Sequence, residues 1–335
     1  KMRVLLWHSR HDAFIFAPVR ETLIGGFESL VHPTRGVPTV TWGVGSPIHA
    51  ASRRQFANLR RGDIFVHLGP YDSNAPWWTL RKRGVRTIFY QTEPAKNCFG
   101  SPSDGNPEPD EIWDFAWSNL EACAAHLEQV GDYITLRYVP PGFIQPEPAA
   151  LVPTVQAEKQ HAETPRLLFF GYPFYKARGN CYRALQASLG SQLNATWTIS
   201  TIGAFEDWWR DIGRRSVHLH LHKLCGTPQE QPPAFRLSPL LSRGARVLSE
   251  PCSPRDEAEY EGLLTFTPLA QIADSFRRII SEEGWAQGGH QRALAYKARF
   301  SPAVLFSSAR VHELIQSNRP PAGWAVADPA AGRCQ

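Results

Sequence analysis

The chain has 335 residues, 42% of them apolar and 20% charged, with a formal net charge of +5. That length exceeds what a single hydrophobic core fills, so two compact units of about 150 residues are expected. The basic residues are scattered, and the one dense spot, at Arg81, Lys82, Arg83 and Arg86, reads as a solvated helix end rather than a nucleic-acid grip; no stretch approaches the roughly 20 apolar residues of a membrane-spanning helix.

From the amino end, short apolar runs predict strands at 3–7, 39–42, 63–68, 87–90, 111–116 and 134–139, with helices fitting between them at 18–25, 52–59, 74–83 and 119–129. This alternation is the signature of βαβ units and a parallel sheet. From 140 to 165 the composition shifts to Pro, Ala, Glu, Gln and Thr without apolar periodicity, as an exposed linker would. The alternation then restarts, with strands expected at 166–170, 195–199, 216–221, 245–249 and 263–266 and helices at 179–188, 205–214, 234–242 and 270–282. The stretch 285–316 reads as helical with a break at Ser301-Pro302, and its helices are expected to pack back across both halves. The expected domains are therefore 1–145, a linker at 146–165, 166–318, and a Pro/Ala/Gly-rich disordered tail at 319–335.

The six cysteines, at 98, 123, 181, 225, 252 and 334, form no Cys-x-x-Cys pair and show no spacing of a zinc cage or a disulfide-dense scaffold. They leave the redox compartment open.

In open parallel sheets ligands bind beyond the carboxyl ends of the strands, so the loops there carry the candidates. In the first half they hold His8, His11, Asp12, Tyr71, Asp72, Glu93 and Asn119. Glu93, His11 and Asp12 are candidates for a general base; alternatively Asp12 caps the next segment and Glu93 supports the turn before Pro94. His8, Tyr71, Asp72 and Asn119 could bind acceptor hydroxyls. In the second half, Gly171 frees the backbone for close approach, and Lys176 or Arg178 could neutralise a diphosphate at the start of the following helix. Arg236 and Ser238 lie on a short helix after Pro232-Pro233 and could hold the same group, while Glu250 at a strand end could accept ribose hydroxyls or cap the turn at Pro251. His222 and Lys223 reach the cleft rim. The alternating His218, His220 and His222 could hold zinc, but hydrogen-bonded buried histidines are the better reading, and no metal is expected. Of the pairs Trp77-Trp78 and Trp208-Trp209, one member each should be core.

The segment from Arg236 through Gly244 to Val247-Leu-Ser-Glu250 resembles the donor-framing part of glycosyltransferases of the GT-B fold, and Tyr90-Gln-Thr-Glu-Pro94, Ile112 to Asn119 and Tyr138-Val-Pro-Pro-Gly142 resemble the acceptor-half loops of one group of them. The likeness covers residues 1 to 317. It implies an α/β architecture of two Rossmann-like, doubly wound domains facing across a cleft, and transfer of a sugar from a UDP- or GDP-linked donor to a glycan, glycoprotein or glycolipid, with no cofactor and no metal. One departure stands out: aligned on Gly244, Gln231 and Pro239 occupy the positions where many retaining members carry two glutamates. The resemblance leaves the compartment open between cytoplasm and, for a domain cut from a longer protein, the Golgi lumen. A binding protein without turnover and a nucleotide-sugar epimerase are the alternatives on the same scaffold.

Overall fold

The computed structural model describes residues 1–8, 16–32, 34–45, 50–69, 75–93, 109–130, 134–145, 165–170, 176–190, 194–198, 216–222, 225–226 and 231–316. The expected helix at 205–214, linker positions 146–164 and the tail at 319–335 lie outside them.

The first half builds strands β1 (Arg3–His8), β2 (Thr39–Val44), β3 (Ile64–Gly69), β4 (Arg86–Gln91), β5 (Glu111–Asp114) and β6 (Thr135–Tyr138), with helices α1 (Ala17–Glu28), α2 (Ala50–Ala57), α3 (Trp77–Lys82) and α4 (Trp117–Val130). The sheet order is β2-β1-β3-β4-β5-β6 and every pairing is parallel. β3 is buried along its whole length because helices cover both faces, whereas edge strand β2 is exposed or half-buried at every position but Gly43.

The second half builds β7 (Arg166–Phe170), β8 (Asn194–Thr198), β9 (Ser216–His220), β10 (Arg246–Ser249) and the two-residue β11 (Thr265–Phe266) in the order β8-β7-β9-β10-β11, again all parallel. Its helices are α5 (Lys176–Leu189), α6 (Ala234–Ser242), α7 (Pro254–Glu259), α8 (Ile272–Ser281), α9 (Gly289–Phe300), α10 (Pro302–Ser308) and α11 (Val311–Gln316). In each sheet the winding reverses between the first strand and the third, β1/β3 and β7/β9, which opens a crevice at those strand ends.

The terminal helices do pack back. Phe306 of α10 and Val311 of α11 sit in the core of the first half with Leu6, Leu23, Phe27 and Trp113. Gly26 makes room for this, since a Cβ there would lie 2.3 Å from the Phe306 ring. Arg137 pairs with Glu111 and donates to the Ala309 carbonyl at 2.7 Å, fixing the junction of α10 and α11. A second break in the terminal helices, at Arg310 with φ +55°, was not expected from the sequence.

Between the halves runs the segment Val139–Ile144. Tyr90 and Tyr296 donate to the carbonyls of Val139 and Pro141, the Gly142 amide donates to Thr22 Oγ1, and Ser238 Oγ donates to the Gly142 carbonyl. A further connection comes from α7, which sequence periodicity did not predict. Ser253 caps this helix, and its Asp256 carboxylate, fully buried, accepts the Trp117 amide at 2.7 Å, the Ser118 amide at 3.1 Å and the Ser118 hydroxyl at 2.8 Å. A side chain of the second half thus caps α4 of the first. Asp256→Ala is expected to cost about 3 kcal/mol, because it strands buried donors at a helix start, and should show as a lower melting temperature. A melting curve matching wild type would refute the cap.

Candidate functional site

At the crevice of the second sheet, the loop after β7, including Gly171, lies outside the described residues, as does Lys223. The chain resumes with Lys176 opening α5, and Arg178 in the first turn is buried. Its Nε donates to the His222 carbonyl at 3.1 Å, just beyond β9, and its guanidinium lies 5.7 Å from the Phe169 ring centroid. β9 ends at His220, whose ring meets that of His222 edge to face at 5.4 Å.

Arg236 comes from the first turn of α6, which starts after Pro233. Its nearest polar partner is His220 Nδ1, at 3.4 Å. A guanidinium cannot accept, so this contact places the lone pair of a neutral imidazole toward Arg236. Burial, then the Arg236 guanidinium, then His222 and Arg178 hold His220 well below the ordinary histidine range. Burial and the neighbouring Arg178 bring Arg236 itself down to about 10, which leaves it charged at neutral pH. Among the described residues no carboxylate forms an ion pair with Arg236. Arg178 and Arg236 thus lie in the first turns of two neighbouring helices, whose unpaired amides also suit an anion. A cavity lined by Leu168, His218, Leu219, His220, Arg236, Leu237 and Leu240 measures about 10 Å³, room for one water and too small for a nucleotide.

Three expected contacts take a different form. Glu250 is 2% exposed, and its two oxygens accept the amides of His222 (2.6 Å) and Gly226 (2.7 Å), so its carboxylate braces the turn after β9 instead of standing open to a ribose. Ser238 is fully buried and spends its hydroxyl on Gly142. Asn119 is buried and donates to Asp114 Oδ1 at 3.0 Å, beside the Ala116 amide that donates to the same oxygen, so its amide group secures the turn from β5 into α4. Glu250 is captured by unpaired backbone amides of the turn after β9 and Ser238 by the Gly142 carbonyl, whereas Asn119 is held by the Asp114 carboxylate.

In the first half, His11, Asp12, Tyr71 and Asp72 lie outside the described residues, and Glu93 is exposed two positions beyond β4. His8 ends β1 at the crevice, buried, with its ring 4.4 Å from Phe16 and against Gly69, whose φ of +119° suits glycine. Phe16 in turn meets Phe235 at 6.1 Å, so a chain of rings joins His8 to the neighbour of Arg236. His222 turns its Nε2 to the Pro251 carbonyl at 2.8 Å. Burial and the Arg166 charge push His218 down to about 3, and among the described residues no group of three His, Cys, Asp or Glu side chains is arranged to hold a metal. Trp77 is core and Trp78 exposed, with Lys82 over its ring; Trp208 and Trp209 lie outside the described residues. The alternation of the His218–His222 run puts His220 on the same face as His222, and the structure adds it to the site as the partner of Arg236.

No known family profile matches the chain, and no curated protein matches it. Solved structures do. An E. coli trehalose-6-phosphate protein bound with UDP-2-fluoro glucose superposes with a TM-score of 0.58 at 12% identity, over 94% of this chain and 99% of that one. The fold is GT-B. A glycosyltransferase from Rickettsia africae gives 0.56 at 9% identity (94% and 99% covered), and Anabaena HepE in complex with UDP and glucose gives 0.54 at 10% (93% and 99%). At such identities the likeness is one of architecture, and the GT-B scaffold places the arginine corner at the carboxyl ends of the second sheet.

Proposed function

We propose that the chain is a nucleotide-sugar-dependent glycosyltransferase. It moves a hexosyl or pentosyl group from a UDP- or GDP-linked donor to a hydroxyl of a glycan, glycoprotein or glycolipid. The observation that carries this reading is Arg236, a half-buried cation beside Arg178 whose described partner is a neutral histidine. The diphosphate of a donor would supply Arg236 with a negative charge that no described side chain provides, and the UDP and UDP-sugar complexes of the structural neighbours support that choice.

In this reading the departing diphosphate gains charge as the glycosidic bond breaks. Guanidinium groups and helix-start amides, already oriented, stabilise that charge, so the chemistry is proposed to proceed without a metal. His220 is kept neutral and presents Nδ1 to Arg236, which orients the guanidinium without competing for the anion. Phe16, Phe115 and Phe235 form a cluster of rings near Arg236, and apolar packing of that kind would limit donor hydrolysis. Glu93, His11 and Asp12 remain the proposed bases, with His8, Tyr71 and Asp72 on the acceptor side, and Gly171, Lys176 and Lys223 flanking the donor.

Calorimetric titration with UDP, GDP, dTDP and CMP is the test. Micromolar binding of one of them, followed by sugar transfer from its activated form to an added acceptor, is the expected result. Binding of none would defeat the proposal, and binding without turnover would leave a nucleotide-binding protein.

A further inference from the structure

Cys181, in the second turn of α5, is bonded to Cys225, five residues beyond β9, with Cα atoms 6.7 Å apart. The bridge joins the two segments that build the arginine corner. Arg178 precedes Cys181 by three residues, His222 precedes Cys225 by three, and Arg178 Nε donates to the His222 carbonyl alongside the bridge. The Cys225 sulfur lies 3.4 Å from the carbonyl oxygen of Ala177, in the first turn of α5. On its other side the same turn is held by Glu250 through the amides of His222 and Gly226. The body of α5 is secured separately: Tyr182, Leu185 and Leu189 pack into a core with Leu167, Phe276 and Ile279. Loss of the bridge would therefore free the amino end of α5 and the turn after β9 while leaving the core in place.

Resting on the donor-site reading above, we infer that the Cys181–Cys225 disulfide is a redox-sensitive clamp that positions Arg178 and His222 for the donor diphosphate. Both cysteines are half-buried. Opening the bond takes two electrons and two protons from an external dithiol, which leaves as its own disulfide, and yields two cysteine thiols. The closed form belongs to an oxidising compartment, where the site is preorganised; in a reducing one the freed turn must be ordered by the ligand itself.

Because Cys123 is also disulfide-bonded, the double variant C181S/C225S isolates this bond better than bulk reduction. Its UDP affinity, measured by calorimetry, is expected to fall about tenfold, with a cooperative melting transition retained. The donor KM should rise while the acceptor KM holds, a split that general destabilisation would not produce. Unchanged UDP affinity in the double variant overturns the clamp. If oxidised wild type binds no nucleoside diphosphate, the donor reading fails and the clamp with it. Should the double variant not fold, the Cys123→Ser protein, in which that other bridge is already absent, is titrated with UDP before reduction, after reduction by a dithiol, and after reoxidation with oxidised glutathione; affinity that falls and recovers supports the clamp, and constant affinity refutes it.

Discussion

Arg236→Ala is expected to weaken binding of UDP by about 100-fold, or roughly 2.7 kcal/mol, without lowering the melting temperature. The affinity term follows from charge: an ionised donor to a phosphate oxygen is worth about 1.5–3 kcal/mol, more where water is excluded. The stability term has the opposite origin. In the empty protein, burial and the nearby Arg178 both disfavour the Arg236 cation, and alanine removes that strain. A variant that loses its ligand yet melts no lower than wild type separates function from folding. Arg236→Lys keeps the charge but not the planar fork, and should recover only part of the affinity. Calorimetry of all three proteins decides it: alanine binding UDP as tightly as wild type would remove Arg236 from the site.

Among the described glycines, Gly244→Ala should be the most damaging single methyl. Gly244 follows the cap of α6 with φ +71°, its amide donates to the Leu241 carbonyl at 2.9 Å, and the Ala245 amide donates to Leu240 at 3.0 Å, the paired bonds that close a helix in a left-handed residue. The backbone conformation alone would cost alanine about 1 kcal/mol. The larger cost is steric, since a Cβ at this position would lie 1.7 Å from the Gly289 carbonyl oxygen, a backbone atom that cannot rotate away. Relief requires displacing α9, which would break the 2.8 Å bond from Arg292 Nε to the Gly244 carbonyl and disturb Tyr296, whose hydroxyl holds Pro141 between the halves. A loss of more than about 3 kcal/mol, seen as a melting temperature lower by about 10 °C, is expected. Gly262 provides the control: φ is +75° with nothing within 4 Å of a Cβ, so Gly262→Ala should show the conformational cost alone. Equal melting temperatures for the two variants would disprove the clash.

The strands were legible because their signal is local. Arg3–His8 and Ile64–Gly69 are continuous apolar runs ended by polar or glycine turns, a pattern that survives without knowledge of any partner. The terminal helices were legible through Pro302, and their packing onto the first half follows from apolar faces with nothing else to cover. Helix α7 carried its own signal, Ser253-Pro254 followed by Asp256 and Glu257, but at six residues it is too short to show a period. The arginine corner was legible as two basic residues near two helix starts; its histidine partner was not, because a strand pattern says which residues share a face and not which of them a remote guanidinium will reach.

By itself the sequence determined most of the strand and helix order and the tandem of two parallel sheets, since both depend on short-range periodicity and turn residues. Only the tertiary structure decided where the polar side chains at the ends of those elements point. Glu250 turns inward to two backbone amides, Ser238 to Gly142, Asp256 across to α4, and Cys181 to a cysteine 44 residues away. Each of those choices depends on which unpaired donor, acceptor or sulfur the fold brings within about 3 Å, and distances of that kind between segments remote in the chain exist only once the cores have packed.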